Sequence, residues 1–261
     1  LFERLHRLSS LQGTKNIVEM LHRQGRMHPS ICEFVNRNYY NGGLDAVPLP
    51  HQQEPLAFGT RPDDDRWTAF VGGTRMAFIS VQADKAEYYT KIESKQEQTE
   101  LAQGLPNVGD SSKSNKREAE TVARLVHTLC QLHSRSGIPF SPCKQIGIIV
   151  PFRAQIAMIR KALAERHIPD TADITIDTVE RYQGSQRDII IFSTTVSRPY
   201  QLSILSEPIM TDGREIDRKL NVALTRARKQ FFMTGNETLL RNCTAYREFL
   251  DFLSKEQILR L

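Results

Sequence analysis

Residues 146–163 read IGIIVPFRAQIAMIRKAL. The five residues from Ile146 to Val150 fit a short strand buried on both faces, and Pro151 ends it. Immediately behind, Ile156, Ile159 and Leu163 recur at three- and four-residue spacing, which marks a helix packed by one face. A buried strand feeding into an amphipathic helix is the repeating unit of a parallel sheet, because parallel strands need a crossover to bring the chain back to the same edge.

The same alternation continues outward. Upstream, MAFISV (76–81) predicts a strand, and Ala119, Val122, Leu125, Val126, Leu129 and Leu132 predict a helix over 115–133. Downstream, ITIDTV (174–179), DIIIFSTTV (188–196) and FFMTG (231–235) add three buried strands, with a helix expected over 218–228 and a closing helix over 246–253. The first 44 residues are mainly helical in pattern, interrupted at RMHPS (26–30) and ended at Asn41, Gly42 and Gly43. The expected fold is one α/β domain over 1–261, a mainly parallel sheet with helices on both faces. Two stretches stand apart: 45–75, rich in Pro, Asp, Gln and Gly, reads as a long surface connection, and 82–113 as a polar insertion.

With 39% apolar and 25% charged residues among 261, the composition is that of a globular protein and excludes collagen, coiled coil and wholesale disorder. No apolar run approaches the roughly 20 residues of a membrane-spanning helix, so no membrane partner is expected. Cys32, Cys130, Cys143 and Cys243 are scattered singly, as in a reducing compartment: a cytoplasmic protein, or a nuclear one in a eukaryote, with the cysteines as buried apolar fillers. The net charge of +5 permits an anionic partner without demanding one. The chain begins at Leu1 without an initiator methionine and is expected to be a piece of something longer.

The chemistry starts from an absence, since the sequence has no GxxxxGK[ST] loop and no GxGxxG turn to cradle phosphates. Asp63, Asp64 and Asp65 follow Pro62 with no strand before them and read as a solvated loop rather than a metal site. The His, Cys and Asp spacings suggest no zinc site, and Cys130 with His133 on one helix reads as structural. Three clusters are harder to assign to packing: QGRMHP (24–29), TVERYQGSQRD (178–188) and RKLNVALTRAR (218–228). Each sets arginines or amides at the edge of a strand or on a helix, where open α/β sheets bind ligands, and arginine is the side chain that clamps phosphate oxygens with a planar fork.

In this order the clusters, with IVPFRAQ (149–155), resemble the C-terminal motor motifs of superfamily 1 helicases of the Upf type. LFERL (1–5) is similar to the segment that follows the last motif of their first motor domain. The resemblance implies a RecA-like domain of the P-loop NTPase type that lacks its own phosphate loop. It also implies ATP and Mg²⁺ held mainly by a separate N-terminal RecA-like domain, and a single strand of DNA or RNA lying across both domains. By the same resemblance Arg226 is the arginine finger and Arg26 a second γ-phosphate contact, while Gln24, Gly184 and Gln186 lie on the nucleotide side. Gln186 stands where the family usually has a ribose-contacting glutamate, and Gly25 where a base-stacking tyrosine is common. Pro151, Arg153, Gln155, Thr178 and Arg181 are implied on the strand track, with Phe152 either stacked on a base or buried beside the sheet. The alternative is a non-catalytic nucleic-acid or protein-binding module derived from such a domain.

Overall fold

The computed structural model describes residues 22–56, 58, 61–81, 113–211 and 213–261; LFERL and nearly all of the 82–113 tract lie outside them. A two-residue parallel pair, β1 (Arg23–Gln24) and β2 (Asp45–Ala46), brackets helix α1 (Pro29–Tyr39). Helix α2 (Arg66–Gly73) leads into β3 (Met76–Ser80). Helix α3 (Lys116–Ser136), β4 (Ile146–Val150), α4 (Arg153–Glu165), β5 (Thr175–Thr178) and β6 (Arg187–Ser193) follow. A hairpin of β7 (Pro208–Thr211) and β8 (Arg214–Asp217) opens onto α5 (Arg218–Thr225), and β9 (Ala227–Gly235), α6 (Thr244–Phe252) and β10 (Ile258–Arg260) close the chain.

The main sheet has the order β10-β3-β9-β6-β4-β5, and every neighbouring pair is parallel. Because successive strand residues point to opposite faces, each strand feeds two cores. Met76 and Phe78 of β3 join the core under α1, α5 and α6, whereas Ala77 and Ile79 join the one under α2, α3 and α4. The helical stripe expected on α3 is fully buried from Ala119 to Leu132. Asn115 caps its start by accepting from Glu118 N at 3.0 Å, and Gly137, in the left-handed region at φ 65°, ends it.

Several expectations need correction. The stretch 45–75, expected to be a surface connection, also carries a packed helix: Asp65 accepts from Thr68 N and caps α2, whose Trp67 and Val71 are buried. Asp64 is paired with Arg135 instead of simply solvated. The helix expected over 218–228 stops at Thr225, and Ala227 already lies in β9 in register with Arg187. The β7–β8 hairpin and β10 carry no apolar alternation long enough to separate them from loop in the sequence. Cys32 is buried, but Cys130, Cys143 and Cys243 are only half-buried, and all four thiols are free. Among the described residues no helix is long and apolar enough to cross a membrane.

Candidate nucleotide-facing and strand-facing sites

The three polar clusters meet at the amino ends of β6 and β9. His28 N donates to Arg228 O at 2.9 Å and Arg187 N donates to Arg226 O at 3.1 Å, so backbone bonds join all three segments. Side chains complete the junction: Arg26 donates through Nε to Gln186 Oε1 at 3.1 Å and through Nη1 to Thr225 O at 3.0 Å. Arg226 donates to Val222 O at 3.2 Å and to Ser185 O at 3.3 Å. It sits just past the end of α5, where unpaired helix carbonyls favour a cation.

Neither guanidinium has a carboxylate partner among the described residues, and burial followed by the nearby Arg26 lowers the pKa of Arg226. Beside them His28 is held neutral at pH 7, its pKa pushed down to about 4 by burial first and then by Arg75 and His51. Two half-buried arginines with no acid between them make a donor set suited to anionic oxygens, and the amide of Gln186 orients Arg26 without neutralising it. ATP fits this donor set as an anion. The described residues contain no group of three or more His, Cys, Asp or Glu side chains that could hold a metal.

The other residues expected on the nucleotide side lie in the segments that form this junction. Gln24 spends its amide on its own loop, accepting from Arg26 N and Met27 N at 2.8 and 2.7 Å and donating to Met27 O at 2.9 Å. Gly184 lies at φ 89°, which a side chain rarely adopts, and lets the turn before Gln186 close. Gly25 has Leu49 Cδ1 at 3.0 Å from where a Cβ would stand, so the side chain missing there has an apolar neighbour in its place. Arg228, two residues past Arg226, lies on β9 and pairs with Asp188 at 2.9 Å.

This junction lies at the amino edge of the sheet, opposite the strands' carboxyl ends. The residues expected on the strand track lie at the carboxyl edge. Pro151 and the exposed Arg153 follow β4, and Thr178 ends β5. Arg181 is exposed on the return turn, 3.9 Å from Asp177. Two members of this set do not face solvent. Phe152 is 5% exposed, so its ring packs beside the sheet. Gln155 is 0% exposed, and its amide is closed in a reciprocal pair with the backbone of Asn115 at 2.7 and 3.0 Å. No surface of Gln155 is left for a ligand, which corrects its assignment to the track.

One further residue is not singled out by the sequence motifs. Glu118 is 0% exposed at the same carboxyl edge. A signal for it is present in the sequence, since residue 118 falls on the buried stripe of α3 seven residues before Leu125, a place where a charge is out of pattern.

A parallel sheet in which Arg26, Gln186 and Arg226, from three distant segments, are gathered at one edge defines an α/β domain. Residues 1–238 match the AAA domain family, and the chain belongs to it. The chain is homologous to Upf-type superfamily 1 helicases. It is 27% identical over 242 residues to the DNA polymerase alpha-associated DNA helicase A of Saccharomyces cerevisiae, covering 91% of this chain and 30% of that protein. It is 30% identical over 245 residues to the regulator of nonsense transcripts 1 homolog of Arabidopsis thaliana, covering 92% of this chain and 16% of the relative. It is 32% identical over 155 residues to the putative helicase MOV-10 of Gallus gallus, covering 54% and 15%. The chain thus spans less than a third of the length of each of these relatives. A solved structure described as the C-terminal domain of a possible DNA helicase from Lactobacillus aligns over 91% of this chain and 98% of its own, at 11% identity and a TM-score of 0.40.

Proposed function

We propose that this chain is the C-terminal motor half of an ATP-dependent helicase or translocase, completing an ATP site with arginines and binding single-stranded DNA or RNA. The observation that carries the reading is the junction of Arg26, Gln186 and Arg226, in which three segments far apart in sequence present two guanidinium groups with no carboxylate between them. Bound ATP would supply a γ-phosphoryl group whose transfer spreads negative charge over its oxygens. Arg226 reaches toward that charge from the opposing face, while Arg26, fixed by Thr225 O and Gln186, holds a second oxygen. Gly184 shapes the turn and Gln24 braces the loop that carries Arg26. The sequence has no phosphate loop, so the facing N-terminal RecA-like domain contributes that loop and the Mg²⁺ ligands.

At the carboxyl edge Pro151, Arg153, Thr178 and Arg181 face a single strand. Arginines and a hydroxyl suit sugar and phosphate contacts that carry no sequence information. The test is ATP turnover by the full-length protein with and without single-stranded oligonucleotides, beside the 261-residue chain alone. The expected result is strand-stimulated turnover by the full-length protein and none by the chain alone, because half the site is then missing. Robust turnover by the 261 residues alone would overturn the reading.

A further inference from the structure

Glu118 is a fully buried carboxylate that accepts four hydrogen bonds and has no cation among its described neighbours. Oε2 accepts from Ser193 Oγ at 2.8 Å, Thr195 N at 3.0 Å and Thr234 Oγ1 at 3.1 Å, and Oε1 accepts from Asn115 Nδ2 at 3.2 Å. These donors come from the end of β6, the loop after it, the end of β9 and the cap of α3. A buried charge with no counter-ion is costly, and a core sheet edge normally uses neutral side chains. Thr195 N and Asn115 Nδ2 can only donate, and the two hydroxyls, which can also accept, donate to the carboxylate here; a glutamine would turn its NH₂ toward part of this set and lose an acceptor there.

The network extends to the strand-facing set. Ser193 Oγ, which donates to Glu118, lies 3.4 Å from the donating Gln155 Nε2, and Gln155 closes its reciprocal pair with Asn115. Gln155 is in the first turn of α4, two residues from Arg153 and four from Pro151. On the other side, the bond from Thr195 N holds a β-branched residue at φ 62°, a conformation that persists only when its surroundings impose it. Thr195 turns the chain out of β6 along the same edge.

We infer that Glu118 is a positioning residue for single-strand binding. It locks the ends of β4, β6 and β9 and the first turn of α4 into one rigid rim, so that Arg153 and its neighbours meet the phosphates in a fixed register. The inference rests on the reading of that edge as strand-facing. It touches no nucleotide-side residue, since Arg26, Gln186 and Arg226 lie at the opposite edge. Its effect therefore belongs to the strand's half-saturating concentration and not to turnover at saturating strand.

The test uses the full-length protein with Glu118→Gln and, because that variant could fail to fold, Gln155→Leu, which leaves the carboxylate in place and cuts its link to α4. Strand-stimulated ATPase is measured against oligonucleotide concentration at several salt concentrations, below the melting temperature of each variant. The expected result is a half-saturating strand concentration raised about tenfold, equivalent to about 1.4 kcal/mol. The salt dependence of binding should shallow by about 0.7 in the log–log slope for each phosphate that is no longer engaged. Turnover at saturating strand and the KM for ATP stay within twofold of wild type. A folded variant that leaves the half-saturating strand concentration unchanged overturns the inference, as does one that lowers saturated turnover equally. If the wild-type protein shows no strand stimulation, the strand-facing reading itself fails, which is a separable outcome.

Discussion

At the residue scale Gly147, the second residue of β4, leaves no room for a side chain. A Cβ there would collide with the hydroxyl of Tyr182, which folds back under the sheet and donates to Thr175 O at 3.0 Å. Gly147→Ala should destabilise the domain by about 1–3 kcal/mol, as overpacking does, and lower the melting temperature by several degrees. Tyr182→Phe removes the colliding atom, so the double variant should recover part of the loss in a thermal melt. If the two effects simply add, the proposed clash is wrong. Glu118 gives a second prediction, in pH. Its carboxyl is raised from an ordinary 4.5 to about 7, by burial first, against the pull of hydrogen bonds from Thr195, Ser193, Thr234 and Thr194. Between those values the folded protein binds more protons than the unfolded chain, so this group makes stability fall as pH rises from 4.5 to 7. The loss is on the order of 3 kcal/mol at 1.36 kcal/mol per pH unit. Asp64 has the opposite sign. Its carboxyl is held at about 2 by the bond from Arg135, so its contribution is present above its ordinary value of 3.8 and fades as pH falls toward 2. Chemical melts of wild type and Glu118→Gln between pH 4.5 and 8, above the range in which Asp64 titrates, isolate the Glu118 contribution; parallel curves would contradict the assignment.

At the element scale two helix caps should differ in a way their surroundings dictate. Asp65 caps α2 at the surface, and replacing it by Ala should cost about 1 kcal/mol. Asp217 caps α5 from a fully buried position, accepting from Leu220 N at 2.6 Å, from Ser206 Oγ and from Glu207 N at 3.1 Å. Its loss leaves Ser206 as a buried donor without an acceptor, so Asp217→Ala should cost about 2–4 kcal/mol in the same melt. Equal costs would show that burial of the cap does not matter.

How much of the architecture the sequence discloses follows from the same physics. Strands buried on both faces, such as Ile146–Val150 and Ile189–Phe192, are legible because continuous apolar runs of that length have few other uses. The edge strand β10 and the β7–β8 hairpin are not, since their residues are mixed and their pairing is set by neighbours. The helix expected to run to residue 228 ends at Thr225, because LNVALTRAR keeps its helical composition across a boundary set by β9 pairing with β6. The arginines of the nucleotide-facing junction are legible through resemblance to a family. Their meeting at the amino edge, and the withdrawal of Gln155 and Phe152 from solvent, are tertiary facts no local pattern carries.

For the whole molecule, the proposed function divides between opposite edges of one sheet, with Arg26 and Arg226 at the amino ends of β6 and β9 and Pro151, Arg153 and Thr178 at the carboxyl ends of β4 and β5. Strand binding should therefore be mostly electrostatic. Replacing both Arg153 and Arg181 by Gln in the full-length protein should weaken binding about equally across base sequences and shallow the log–log salt slope by about 1.4, which is about 0.7 for each of two phosphates set free. A fluorescence titration over a salt series measures it, and a change confined to particular bases would contradict the assignment.

In the proposed function Arg226 acts on ATP held by a facing domain. The most direct test of this role is the steady-state ATPase of the full-length protein, saturated with single strand, for Arg226→Ala, Arg226→Lys and Arg228→Ala. Arginine fingers contribute roughly 10³ to 10⁵ in turnover, or about 4–7 kcal/mol. Arg226→Ala should lose a factor in that range with nucleotide affinity largely retained, and lysine should restore little because it lacks the planar fork. Arg228 is engaged with Asp188 on β9, and its replacement should leave turnover within a few fold of wild type. Near-normal turnover in Arg226→Ala together with loss of activity in Arg228→Ala would contradict the account.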